Sequence, residues 1–135
     1  MTRLLDTNVL IRHLSGAPAS QASAATSFLT KAAPRSLQLT DVHLSELVWV
    51  LESSTYRVDR ASIAAAVDAV LALPAIAVDD DALLQETLLL YSQRKMDWTD
   101  AYLVASARTA NATEVVSFDR FDARLAGLGV TRVQP

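Results

Sequence analysis

Short apolar runs alternate with helical patterns along this chain, and an aspartate follows the end of four of those runs. Leu4-Leu5 is followed by Asp6, Leu39-Thr40 by Asp41, Ala77-Val78 by Asp79 and Ser117-Phe118 by Asp119. Strands separated by helices are joined by crossovers, which produce a parallel sheet with helices packed on its faces. The expected fold is therefore α/β, a three-layer α/β/α sandwich around a central, mostly parallel sheet. The periodicity predicts strands over 3–5, 36–40, 75–78, 114–118 and 131–133. Helices are predicted over 8–15, 19–33, 42–54, 59–73, 81–94 and 99–110, with a short one around 122–128; Pro74 stops the fourth.

Composition narrows what such a sheet can serve. The chain has 135 residues, 51% of them hydrophobic, enough for one compact domain spanning 1–135 with a full apolar core. With 12 Lys+Arg against 15 Asp+Glu the net charge is −3, which argues against binding nucleic acid or membranes through bulk positive charge. Cysteine is absent, so metal chemistry must use oxygen or imidazole ligands. Only three glycines occur and no GxGxxG or GxxxxGK[ST] run is present, which disfavours ordinary dinucleotide and P-loop sites. No apolar run approaches the roughly 18 residues of a membrane helix, and the amino terminus turns polar at Asp6. A cytoplasmic protein without membrane attachment is expected.

In open parallel sheets the carboxyl ends of the strands line the crevice where ligands bind. Aspartate before a helix is also a preferred cap, accepting backbone N–H bonds and complementing the helix dipole. Each strand-end acid is open to both readings. Glu46 lies well past the first turn of its helix, in His43-Leu44-Ser45-Glu46-Leu47-Val48-Trp49, where no cap is needed and its neighbours call for burial. Asp97 and Asp100 open an apolar helix at Met96-Asp97-Trp98-Thr99-Asp100-Ala101-Tyr102, either as the start of a capping box or as two acids facing one crevice. Two carboxylates about 4 Å apart repel by roughly 4 kcal/mol at an effective dielectric near 20, so a convergent set retains protons or holds a cation. Carboxylates alone suit Mg²⁺ or Mn²⁺. With Asp6, Glu46, Asp100 and Asp119 set aside, the remaining charge is about neutral, so the acid excess is local to these positions.

Leu4-Leu5-Asp6-Thr7-Asn8-Val9-Leu10, Ser45-Glu46-Leu47, Asp97-Trp98-Thr99-Asp100-Ala101-Tyr102-Leu103-Val104-Ala105 and Val115-Val116-Ser117-Phe118-Asp119-Arg120 resemble the ordered acidic motifs of PIN-domain ribonucleases. More closely they resemble those of VapC toxins from bacterial toxin–antitoxin pairs. Each motif alone is weak, but four in order span nearly the whole chain. The resemblance implies a Mg²⁺- or Mn²⁺-dependent endoribonuclease that cuts single-stranded or loop RNA and is silenced by a cognate antitoxin. It implies that Asp6, Glu46, Asp100 and Asp119 are the metal-site acids. Asp6, Glu46 and Asp100 are then the metal ligands, while Asp119 orients water or serves a second metal. Asn8 and Ser117 are polar supporters, and Asp97 is an extra acid, an outer ligand or only a cap. A homodimer is also implied, assembling with antitoxin into a heterotetramer or larger.

Arg12, Arg94, Lys95 and Arg120 lie next to these motifs and are candidate RNA-binding cations, though a solvated surface role is open to each; Arg94 and Lys95 could also complement a helix dipole. Trp98 and Tyr102 could stack on a base, but core or dimer packing is the favoured reading for both and for Trp49. His13 and His43 lack the spacing of a metal pair and are left outside catalysis. A haloacid-dehalogenase-type hydrolase needs a second Asp where this chain has Asn8, and a receiver domain needs a later Lys after a suitable strand, where Lys95 does not lie. The remaining alternative is a non-catalytic PIN-like module that binds RNA or protein.

Overall fold

The structure is a computed structural model that describes residues 2–135, and it divides into two compact units, the first ending at Asp79 and the second beginning at Asp80. The first contains β1 (Arg3–Leu4), α1 (Thr7–Ser15), α2 (Ala19–Lys31), β2 (Leu37–Gln38), α3 (Asp41–Glu52), α4 (Arg60–Leu71) and β3 (Ile76–Ala77). Its strands pair in the order β1-β2-β3, all parallel, with Arg3 opposite Leu37 and Leu37 opposite Ile76. The ladder bonds continue past the strand ends: Leu5 N–H donates to the Gln38 carbonyl at 3.0 Å and Leu39 N–H to that of Ala77 at 2.9 Å. Helical crossovers between parallel neighbours follow from the alternation in the sequence. The strands are shorter than the apolar runs that contain them, as Leu37–Gln38 within the expected 36–40 illustrates.

Helix α3 shows how burial is distributed in this unit. Leu44, Leu47, Val48 and Leu51 recur at helical spacing and are buried, joining Leu10, Leu29, Leu39, Ile63 and Val67 in the apolar interior. Its start is capped by Thr40, whose Oγ1 accepts from His43 N–H at 3.2 Å. At the end of α1 the chain turns through Gly16, whose φ of 70° is a left-handed conformation that glycine adopts without a Cβ clash.

The second unit contains α5 (Asp81–Gln93), α6 (Trp98–Thr109), β4 (Glu114–Val116), a 3₁₀ turn (Asp122–Leu125) and β5 (Thr131–Val133). Strands β4 and β5 are parallel, with Val115 opposite Arg132 and Val116 opposite Val133. Helices α5 and α6 pack together, and Tyr91 meets Trp98 edge-on with ring centroids 5.6 Å apart. Trp98 is 2% exposed and Trp49 is 50% exposed. Core packing therefore describes Trp98, as favoured from the sequence, whereas Trp49 is not part of the core of its unit. Among the described residues no helix is long and apolar enough to cross a membrane.

Replacing Trp98 by Ala removes a large fully packed ring and is expected to destabilise the protein by about 3–5 kcal/mol. Urea unfolding measures this directly, and a change below about 1 kcal/mol would contradict the placement of the indole in the core.

Candidate active site

The first unit carries Asp6, Asn8 and Glu46. Asp6 occupies the N-cap position of α1, with extended backbone angles, yet its side chain makes no capping hydrogen bond. By contrast, Asp59 caps α4 through Ser62 N–H at 2.8 Å and Asp80 caps α5 through Leu83 N–H at 3.0 Å. The ambiguity between capping and chemistry is thus resolved residue by residue, and the Asp6 carboxylate is not committed to the helix. Asp79, another strand-end acid, accepts from Gln38 Nε2 at 3.0 Å.

Glu46 is exposed on α3, along with Val42 and Trp49 on the same side of the helix, while Leu44, Leu47, Val48 and Leu51 turn inward. The neighbours that seemed from the sequence to bury Glu46 therefore occupy the opposite face or are themselves exposed. The start of α1 is fastened to α3 by Thr7, which is 2% exposed and whose Oγ1 donates to the His43 carbonyl at 2.9 Å. That bond joins the residue after Asp6 to a position one turn before Glu46. Sequence reasoning did not single out Thr7, because its partner lies 36 residues away. His43 itself contacts Thr40 Oγ1 through Nδ1 at 2.7 Å, a structural role consistent with leaving it out of catalysis.

The second unit carries Asp97, Asp100, Ser117 and Asp119. Asp97 stands at the N-cap of α6 and, like Asp6, makes no side-chain capping bond. Asp100 lies in the first turn of α6, and its pKa is raised, first by burial and then by the negative charges of Asp119 and Asp97; Arg124 partly opposes the rise. Asp100 is thus within electrostatic reach of both Asp97 and Asp119. Ser117 Oγ accepts the Asp119 backbone N–H at 3.0 Å. Arg124 and Arg132 are further residues missed in the sequence. The Arg132 guanidinium beside Asp122 holds that carboxyl below the usual range.

The expected RNA-binding cations have different surroundings. Arg12 donates from Nε to Gln21 Oε1 at 2.7 Å, and Arg94 Nη1 donates to the carbonyls of Arg124 and Ala126 at 3.1 and 2.8 Å, which gives Arg94 a structural task. Lys95 and Arg120 are exposed.

Among the described residues no group of three or more His, Asp or Glu side chains forms a ready metal cage. The donor chemistry nonetheless fits a hard divalent cation: the candidate acids present carboxylate oxygens, and Asp100 bears the negative charge of Asp119 and Asp97 with Arg124 opposing. Mg²⁺ is commonly held by one or two carboxylates with waters and substrate phosphate completing its shell.

A family model described as the PIN domain matches residues 3–128. The chain belongs to the PIN domain family. Its fold is accordingly the α/β PIN fold expected from the sequence. PIN domains are generally nucleases, and such nucleases generally use divalent metals. A comparison with curated proteins gave no match. Among solved structures, the chain is similar to one described as the crystal structure of VapBC2 from Rickettsia felis bound to a DNA fragment from their promoter. The two share 14% identity with a TM-score of 0.36, over 99% of this chain and 98% of that one.

For this PIN domain the raised pKa of Asp100 sets a stability prediction. A carboxyl whose folded pKa is raised favours the folded state when protonated, and that contribution is lost as pH rises through the raised value. Asp100→Asn is therefore expected to raise the melting temperature at neutral pH, with the gain vanishing in acid below the ordinary aspartate range. Thermal unfolding of both proteins across pH checks this; a gain independent of pH would contradict it.

Proposed function

We propose that this PIN domain, acting as one domain over 1–135, is a metal-dependent endoribonuclease and the VapC-like toxin of a cytoplasmic toxin–antitoxin pair. The observation that carries the reading is the state of Asp100, burdened by burial and by Asp119 and Asp97, an arrangement that a divalent cation relieves. The uncommitted carboxylates of Asp6 and Asp97 at helix starts support it.

Asp6, Glu46 and Asp100 are the residues that would hold Mg²⁺ or Mn²⁺, with Asp97 as an outer ligand. When bound, such an ion lowers the pKa of a water and offsets charge on a phosphodiester. The Asp119 carboxylate orients the attacking water, while Ser117 Oγ steadies the Asp119 backbone N–H. Asn8, exposed in the first turn of α1, supports Asp6 as a polar neighbour. Lys95 and Arg120, both exposed, hold RNA phosphates, and Arg12 adds to them from α1.

The antitoxin partner is supported by an apolar groove of about 480 Å³ between α1 and α2, lined in part by Asn8, Val9, Ala25 and Phe28. A homodimer is supported by the exposed Val42 and Trp49 on α3, 71% and 50% accessible. Light scattering is expected to give the mass of two chains at tens of micromolar; a monomer at that concentration removes the homodimer.

Purified protein is expected to cut synthetic single-stranded RNA with Mg²⁺ or Mn²⁺ and not with EDTA. Asp6→Asn and Asp100→Asn should each reduce the rate by about a hundredfold or more with the fold retained. Equal activity in either variant would overturn its place in the site, whereas RNA binding without any cleavage would favour a binding module.

A further inference from the structure

We propose that Arg132 is a positioning residue that fixes the loop bearing Asp119, and so sets the cleavage rate of this site; the second part rests on the nuclease reading. The guanidinium is nearly enclosed, with its side chain 9% exposed. Its Nε donates to Asp122 Oδ2 at 2.9 Å and its Nη1 to the Ser117 carbonyl at 2.8 Å. One planar fork therefore holds both ends of the segment 117–122, and Asp119 lies between them.

The surrounding backbone shows why this fork matters. The ladder between β4 and β5 extends one residue beyond the strand, where Ser117 N–H donates to the Val133 carbonyl at 3.0 Å. From there the chain leaves the sheet, and the Arg132 side chain supplies the hydrogen bond to the Ser117 carbonyl. Ser117 thus has its N–H on β5, its carbonyl on Arg132 and its Oγ on the Asp119 N–H. Phe121, 3% exposed, anchors the far side of the segment. The side chains of Phe118, Asp119 and Arg120 are exposed, so the loop is held from below through its backbone while its carboxylate faces solvent.

Arginine suits this position for a geometric reason. Its guanidinium donates in two fixed in-plane directions, whereas lysine has one compact ammonium head and cannot reproduce both bonds. Residues that orient the working groups of a metal site typically change its activity by about 10–100-fold when removed. Charge alone is preserved in Arg132→Lys, which separates bracing from long-range electrostatics.

The test compares wild type, Arg132→Lys, Arg132→Gln and Asp122→Asn in the full chain. Backbone amide exchange is read at Ser117 to Arg120, Mn²⁺ affinity by calorimetry without RNA, and single-turnover RNA cleavage alongside. Both Arg132 variants are expected to exchange faster at the Asp119 amide than wild type, with exchange in α5 and α6 unchanged. Both should also cut RNA about tenfold or more slowly in a single turnover, with Mn²⁺ affinity near that of wild type. Asp122→Asn, which weakens one of the two bonds, should fall between them and wild type. Wild-type behaviour of Arg132→Lys beside a defective Arg132→Gln would overturn bracing and assign the effect to charge. Unchanged exchange in both Arg132 variants, or faster exchange with wild-type cleavage, would overturn the proposal as well. A wild type that neither binds Mn²⁺ nor cuts RNA refutes the nuclease reading and with it the catalytic part of this proposal; exchange then decides the bracing alone.

Discussion

In β1, β2 and β3 every interstrand hydrogen bond joins segments that run the same way, and a parallel neighbour can be reached only by a crossover. The strands themselves contribute two paired residues each, too few to organise a unit without the helices that connect them. The burden passes to side chains such as Leu44, Leu47 and Ile63, which have essentially no exposure. The same parallelism puts the carboxyl ends of the three strands at one edge, where the chain must turn into a helix. Polar residues with a taste for helix starts collect there for that reason, and chemistry can recruit those not needed as caps.

How the carboxylates are used divides them. Asp59 and Asp80 are committed to backbone N–H groups, whereas Asp6 and Asp97 occupy equivalent positions without side-chain caps. In the second unit Asp97 and Asp119 are close enough to Asp100 for their charges to raise its pKa. For Asp100 that arrangement carries a folding cost that a cap would not. Loop support follows a similar logic: Thr7 and Arg132 each link an acid-bearing stretch to a neighbouring element through a backbone carbonyl.

The alternation of strands and helices and the ordering of the acidic motifs were legible in the sequence because both depend on residues near one another in the chain. Helices α3, α5 and α6 lie where their apolar spacing puts them, and β4 falls within the expected 114–118 but stops at Val116, where the pairing gives way to the Asp119 loop. Which aspartates cap was not legible, since Asp6 and Asp59 present the same residue before a helix and differ only in side-chain orientation. The exposure of Glu46 was also hidden: its apolar sequence neighbours suggest burial, but Val42 and Trp49 share its outward side. Thr7 and Arg132 escaped notice, and Arg94 was noticed only as a candidate cation, because their structural roles are contacts across 36, 15 and 30 residues, respectively.

The two tryptophans fall one to each unit, Trp49 in the first and Trp98 in the second, and their surroundings are opposite. A solvated indole emits at longer wavelength and is reached by aqueous quenchers, whereas one enclosed beside Tyr91 is shielded from both effects. The chain thus contains its own pair of optical labels, one wet and one dry. Emission from the two can distinguish events in α3 from loosening of α6 without any label being attached.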